Sequence, residues 1–323
     1  MALLLTEADV RSILTMEMAL ELVETSFRRL GEGTAVCHPR RRLHIPGKTI
    51  VNYMAASDAA GGYLGLKIYS ISRGAARFVI PLFRAETGEM VALIEADYLG
   101  QMRTGAASGV ATRAMARPDA RAVGMIGTGL QARTQLQAVA GAQRIETVRA
   151  FGRDTQRRER FAAEMTEKIG VRVTPVESAE EAVRGADIVI SITGSKTPVV
   201  EGRWIAPGTH LNAAGSNFAE KRELDTEAVR RCDVIAADSV EQSKIESGDL
   251  IQGFAGEEWR WGNVREFSEI VTGKAAGRTS PNQVTLFKSN GIAIEDVVTA
   301  GRVYELARER GIGREVPMWQ END

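Results

Sequence analysis

The stretch Ala122-Val123-Gly124-Met125-Ile126-Gly127-Thr128-Gly129-Leu130-Gln131-Ala132 decides the fold. Residues 122–126 read as a short buried strand, a glycine turn follows, and an alanine-rich helical pattern opens directly after it. A G-x-G-x-x-A motif says little alone. Between a strand and a helix it acquires a mechanism. Gly127 allows the tight turn, Gly129 lets backbone N–H groups approach a pyrophosphate, and Ala132 keeps helix and strand close. The helix N-terminus adds partial positive charge for phosphates. The alternative is a plain glycine turn in an α/β core. Against it stands the alternation downstream: strand patterns at 148–151, 188–193, 210–214, 234–237 and 285–287, with helical patterns such as 157–169 between them. Such alternation implies βαβ units and a parallel sheet. Residues 118–294 are therefore expected to form a Rossmann-type dinucleotide-binding domain.

Upstream of Pro118 the texture differs. The opening residues read as helix, with Thr6 as N-cap and Glu7 and Asp9 in the first turn. A second helix starts near Thr15. Short β-like runs follow at 43–45, 49–54, 63–69 and 78–83, punctuated by Gly47, Gly61 and Gly62, as in an antiparallel meander. A strand at 90–94 and a helix at 98–115 complete a first α/β domain over 1–117. A long helix over 295–310 ends the pattern, and 257–262, with Trp259 and Trp261, reads as a surface or interface loop.

Length and composition agree with two soluble domains. The chain has 323 residues, 44% hydrophobic and 26% charged, which excludes disorder as its main state. Lys+Arg 41 against Asp+Glu 42 gives a net charge of -1, without the basic excess of a nucleic-acid binder. Cys37 and Cys232 lack zinc-site spacing, and His38, His44 and His210 form no ligand pattern, so no metal is expected. Two cysteines do not make a secreted disulfide framework, and no apolar run approaches the roughly 18 residues of a membrane span. A cytoplasmic location is the expectation.

The cofactor's identity is read at the end of the second strand. A site for NAD usually carries a carboxylate there, for the ribose 2′-OH. Here the strand runs into Gly152, Arg153 and Asp154. A guanidinium attracts a 2′-phosphate, so NADP(H) is expected in preference to NAD(H), which stays possible. Arg157 and Arg158 either reinforce this or are solvated charges. A one-residue slip would put Asp154 at the strand tip and restore an NAD reading.

The chain resembles the ornithine cyclodeaminase/mu-crystallin family over most of its length. The resemblance rests on Gly65-Leu66-Lys67, the run Met102 to Ser108, Gly127 to Ala132, Asn212 to Asn217, Arg222 to Asp225, Phe287 to Gly291, and Glu295-Asp296, in that order. It implies a homodimer in which residues 1–117, joined by 295–323, carry substrate contacts and the dimer-forming sheet. It also implies a 2-amino or 2-imino carboxylate substrate held beside a nicotinamide. On this likeness Lys67 and Arg103 are the catalytic candidates. Substrate contacts are expected from Arg42, Asn52, Lys67, Arg103, Asn217 and Gly291. Cofactor contacts are expected from Thr104, Gly127, Thr128, Gly129, Leu130, Gln131, Gly152, Arg153, Thr193, Gly215 and Ser289.

The residue types fit that assignment. Arg103 offers a planar fork for a carboxylate, and the small residues after it mark a packed helix. Lys67, inside an apolar strand, is either an edge-strand gatekeeper or a functional cation, and the resemblance favours the second. Within Arg40-Arg41-Arg42, Arg42 is the expected carboxylate contact and the other two are expected to be solvated. Arg77 either reads a second carboxylate or faces solvent.

Two departures bear on the reaction. Cyclodeaminases of this family carry acids where this chain has Asn217 and Asn52. An asparagine takes no proton and holds no ammonium by charge, so deamination loses its base. Reducing a preformed imine needs only positioning and exclusion of water. The expected activity is therefore NAD(P)H-dependent reduction of a small 2-imino acid, of the pyrroline-2-carboxylate type, or amino-acid dehydrogenation. The alternatives are an ornithine cyclodeaminase and a non-catalytic mu-crystallin-like NADP- and ligand-binding protein.

Overall fold

A computed structural model describes residues 1–72 and 75–318. The end of the expected 295–323 segment, residues 319–323, lies outside them. The chain forms two compact units, Met1–Arg103 with Gly291–Asp323, and Thr104–Asn290.

The first unit contains β1 (Ala2–Leu5), α1 (Glu7–Ile13), α2 (Met16–Glu32), β2 (Ala35–Cys37), β3 (Arg41–Ile45), β4 (Thr49–Asp58), β5 (Tyr63–Ser72), β6 (Ala75–Arg84) and β7 (Met90–Glu95). It also holds the start of α3 (Asp97–Met115). The second unit runs through β8 (Ala122–Ile126), α4 (Leu130–Ala142), β9 (Thr147–Phe151), α5 (Thr155–Ile169), β10 (Val173–Pro175), α6 (Ala179–Val183), β11 (Ile188–Ser191) and β12 (His210–Ala213). It continues with α7 (Thr226–Arg230), β13 (Val234–Ala237), α8 (Val240–Glu246), α9 (Gly248–Gly253), β14 (Val264–Glu266), α10 (Phe267–Val271) and β15 (Thr285–Lys288). Helix α11 (Ala293–Arg310) and β16 (Arg314–Val316) return to the first unit.

The first sheet has the order β16-β1-β7-β6-β5-β4-β2, with β3 also paired to β4. Its pairs are antiparallel except β1 with β7. Thr6 starts α1 by a reciprocal cap: its hydroxyl accepts from Asp9 N–H, and Asp9 accepts from Thr6 N–H at 2.9 Å. The residues ahead of that cap form strand β1, which the sequence reading did not identify. A leucine run carries no period, and pairing with β7 and β16 decides its state. Helix α11 packs on α2 and across β4, β5 and β6. From Ala293 to Gly301 it is buried on every side, as a helix inside a core must be.

The second sheet, β10-β9-β8-β11-β12-β15-β13-β14, is parallel throughout. Both faces are covered. Ile188 and Ile190 point into a core with Leu136, Phe161 and Met165, while Val189 between them joins Leu211, Leu250 and Phe254 on the other face. The sequence puts the domain break at 117/118. Packing groups 104–117 with the second unit because α3 lies close against α4. A Cβ on Gly105 would stand 2.3 Å from the Thr134 carbonyl oxygen, and Gln135 Nε2 donates to Thr104 O at 3.0 Å. The segment read as a loop at 257–262 is a short 3-10 helix (Glu258–Asn263), with Trp261 edge-on to Phe254 and Trp259 exposed. Among the described residues no helix is long and apolar enough to cross a membrane.

Candidate active site

The register of the first sheet puts Arg42, Asn52, Tyr69 and Phe78 in one cross-strand row, and Met54 with Lys67 in the next. Directly opposed residues of antiparallel strands share a face, and alternate residues along a strand share it too. All six therefore point to the side on which α11 packs. Strand β5 lies between β4 and β6, so Lys67 is no edge gatekeeper.

Lys67 is buried, and its Nζ donates to Asp296 Oδ1 at 2.8 Å. Arg103, buried on α3, donates from Nε to the same oxygen at 3.0 Å and from Nη1 to Glu295 Oε2 at 2.8 Å. Both acids stand in the first turn of α11, where the helix dipole favours negative charge. Arg40 is buried as well, with Nη2 donating to the Gly291 carbonyl at 3.1 Å. This overturns the expectation that Arg40 is solvated. It lies two residues from Arg42 along the same edge and turns to the same covered side. Arg41 is exposed and Arg42 half-buried. Arg77 is exposed and opposite Ser70, on the outer face of the sheet, away from Lys67.

The electrostatics follow from burial. Lys67, Arg103 and Arg40 set three buried cations beside two buried carboxylates, Glu295 and Asp296. Burial, and then repulsion from Arg103, pull the Lys67 ammonium down to about 8, although Asp296 opposes the fall. Burial works against the charge of Arg103 too, but Asp296 and Glu295 more than restore it and raise its pKa. Both amide atoms of Asn52, which is 1% exposed, and the second oxygen of Asp296 have no hydrogen-bond partner. Leaving a buried polar group unpaired costs about 1–3 kcal/mol. Polar atoms so placed suit a ligand that is anionic at one end and carries an N–H.

In the second unit β8 is flanked by β9 and β11, so the direction of winding reverses at its carboxyl end. Ligands of open α/β sheets bind at such a switch point. A cavity of about 710 Å³ opens there, lined by Gly127, Thr128, Gly129, Gly152, Arg153 and Thr193 among others. Gly127 has φ 107, and a Cβ on it would stand 2.3 Å from the Ile192 carbonyl oxygen, so only glycine fits. Gly129 is the N-cap of α4 and gives it no side-chain cap, and the first turn carries no acid. Its N–H groups are thus available to an anion. The site fits the pyrophosphate of a dinucleotide.

The remaining expected cofactor residues lie around this cavity or beyond its lining. Leu130 is exposed and Gln131 half-buried in the first turn of α4. Thr104 binds Gln135 through its carbonyl, and Gly215 N–H donates to Glu223 Oε2 at 2.8 Å. Ser289, buried after β15, donates to Asp238 Oδ2 at 3.2 Å. Asn217, half-buried after β12, belongs to this second unit. Arg158 cannot meet a 2′-phosphate. Its guanidinium is buried, donating to Gly152 O at 3.1 Å and Glu177 at 2.6 Å. Arg157 and Arg153 are exposed, and Asp154 caps α5 through Arg157 N–H at 2.9 Å. Among the described residues no His, Cys, Asp or Glu side chains are grouped to hold a metal ion.

The sequence reading missed Asp296 and Glu295 as members of the site. Acids are ordinary at a helix start; their signals were a place among the motifs of the resemblance and the small or apolar residues that follow them from Val297 to Gly301, Thr299 apart.

Known proteins resemble this chain along its whole length. The model of the ornithine cyclodeaminase/mu-crystallin family matches residues 1–311. A Delta(1)-pyrroline-2-carboxylate reductase of Bacillus cereus is 34% identical over 323 residues, covering 97% of this chain and 99% of the relative. The solved Thermococcus litoralis Delta(1)-pyrroline-2-carboxylate reductase, in complex with NADH and L-proline, is 38% identical. It superposes with a TM-score of 0.93 over 97% of this chain and 100% of its own. An archaeal alanine dehydrogenase dimer with bound NAD is 32% identical, with a TM-score of 0.93 over 98% and 99%.

Proposed function

The chain belongs to the ornithine cyclodeaminase/mu-crystallin family, and from that premise we propose that it is an NAD(P)H-dependent reductase of a small 2-imino acid, of the pyrroline-2-carboxylate type. The observation that carries this is the buried cluster of Lys67, Arg103, Arg40, Glu295 and Asp296 beside the unpartnered amide of Asn52. Its buried guanidinium groups suit a substrate carboxylate.

Arg103 and Arg40 hold the carboxylate through their guanidinium forks. The free oxygen of Asp296 and the amide oxygen of Asn52 accept from substrate N–H. Lys67, with its pKa at about 8, is largely protonated at neutral pH yet close enough to it to exchange a proton, as a general acid must. A bound reduced dinucleotide, held by Gly127, Thr128, Gly129 and Thr193, supplies the hydride. Overall, imine, NAD(P)H and one proton give amine and NAD(P)+. Run with ammonia and a 2-oxo acid, the same chemistry is amino-acid dehydrogenation.

Two finer readings belong with this proposal. Arg153 and Arg157, with Gly152 at the strand tip and Asp154 engaged as a helix cap, favour NADP(H) over NAD(H). The outer face of the first sheet, with Val36, Leu43, Ile45, Tyr53 and Leu64 exposed, is the surface for a homodimer. The function is tested by following NADPH and NADH absorbance with cyclic 2-imino acids, and with 2-oxo acids plus ammonia. Turnover of ornithine that releases ammonia without net absorbance change would favour the cyclodeaminase instead.

A further inference from the structure

Beside the nucleotide cavity the second unit carries a buried ionic network that the proposed reaction does not use. Glu223, between β12 and α7, is fully buried. Its Oε1 accepts from Ser191 Oγ at 2.8 Å and from Thr193 N–H at 2.5 Å, and its Oε2 accepts from Gly215 N–H at 2.8 Å. Thr193 follows β11 and lines the cavity, while Gly215 follows β12, the next strand of the sheet. One carboxylate thus ties together the loops at the carboxyl ends of two neighbouring strands.

The arrangement has no slack. A Cβ on Gly215 would stand 2.5 Å from both carboxylate oxygens of Glu223 and 2.3 Å from Thr193 N. Glu223 is itself fixed from behind. Its own N–H and that of Leu224 donate to Asp249 Oδ1 at 2.6 and 2.9 Å. The other oxygen of Asp249 pairs at 3.0 Å with Lys288, at the end of β15, and Lys288 donates to the Ser216 carbonyl at 2.7 Å. A buried carboxylate is costly, and here two of them share one cation. What a carboxylate offers in return is two acceptor oxygens with no donor. A glutamine would satisfy one amide and turn its NH2 group on the other.

We propose that Glu223 is a positioning residue for the dinucleotide: by accepting from the Thr193 and Gly215 N–H groups it sets the spacing of the two loops and so shapes the cavity wall. The proposal rests on the reading that this cavity takes NAD(P)H. A residue that merely filled the core would affect stability and leave the affinity of the folded protein alone.

The test is a titration of the full-length protein with NADPH and NADH, read by the fluorescence of the reduced nicotinamide without substrate, alongside thermal melting. Glu223→Gln is expected to raise Kd about tenfold or more, as loss of a charge-assisted hydrogen bond does. The KM for dinucleotide should rise in parallel, while kcat at saturating dinucleotide stays within about threefold of the parent. Ser191→Ala, which leaves both amides held, should bind within about twofold of the parent. Gly215→Ala pushes on the same loops from the other side and should also weaken binding, and it decides the matter if Glu223→Gln does not fold. A folded Glu223→Gln or Gly215→Ala protein with parental Kd would overturn the clamp. Failure of the parent protein to bind either dinucleotide would overturn the reading of the cavity and the clamp together.

Discussion

Lys67 and Arg103 stand out in the sequence because a strand interior and a small-residue helix are unusual places for charge. What the sequence hides is their company. Asp296 shares one oxygen between them, and burial brings the Lys67 ammonium down to about 8 from 10.5. Its proton is therefore lost at lower pH than that of an ordinary lysine. If it donates in the reaction, kcat/KM for an imino acid falls as pH rises through about 8. In Lys67→Arg that limb disappears, since a guanidinium keeps its proton. Lys67→Ala should lower kcat/KM by about 10²–10⁴, the usual worth of a positioned acid. Arg40 was expected in solvent and is buried against Gly291. Three adjacent arginines carry no period by which to choose one, and only the turn of chain into β3 does so. Arg40→Leu should raise KM for the imino acid about 10- to 100-fold, with Arg41→Leu near the parent value. At the cofactor, Arg153→Ser should lower kcat/KM for NADPH about tenfold and leave NADH within about twofold.

At the scale of elements, the parallel sheet was the more legible half. Strands β8, β9, β11, β12, β13 and β15 coincide with short apolar runs between helical patterns, because a strand buried on both faces announces itself by continuous apolarity. The shortest strands of the first sheet were less so. Strands β1 and β2 are short and owe their state to pairing partners, which a local pattern does not contain. The acids of α11 were hidden for a related reason: a helix start accounts for them without any site. The turn from β8 into α4 was legible because Gly127 is demanded by geometry. Gly127→Ala would force φ 107 on a residue with a Cβ and press it against the Ile192 carbonyl. The strain is about 1–3 kcal/mol, to be seen as a lower melting temperature together with lost dinucleotide binding.

For the whole molecule, the proposed function divides the chemistry between the two units: cations for an anionic substrate in one, a glycine cradle for phosphates in the other. The first unit also carries an apolar outer sheet face on which Leu43 and Ile45 are 63% and 59% exposed. A face of this kind is what a dimer covers. Sedimentation should give a dimer for the parent protein, and Leu64→Asp, on that face, should shift it toward monomer. A monomeric parent would remove the homodimer from the account.

The most direct measurement of the central claim is the stoichiometry of coenzyme oxidation when the purified protein meets pyrroline-2-carboxylate and other small 2-imino acids with NADPH or NADH. One reduced coenzyme consumed per amine formed, at a rate that collapses in Lys67→Ala and Arg103→Ala, is the predicted result. Unchanged absorbance with every imino acid, or turnover indifferent to both substitutions, would contradict it.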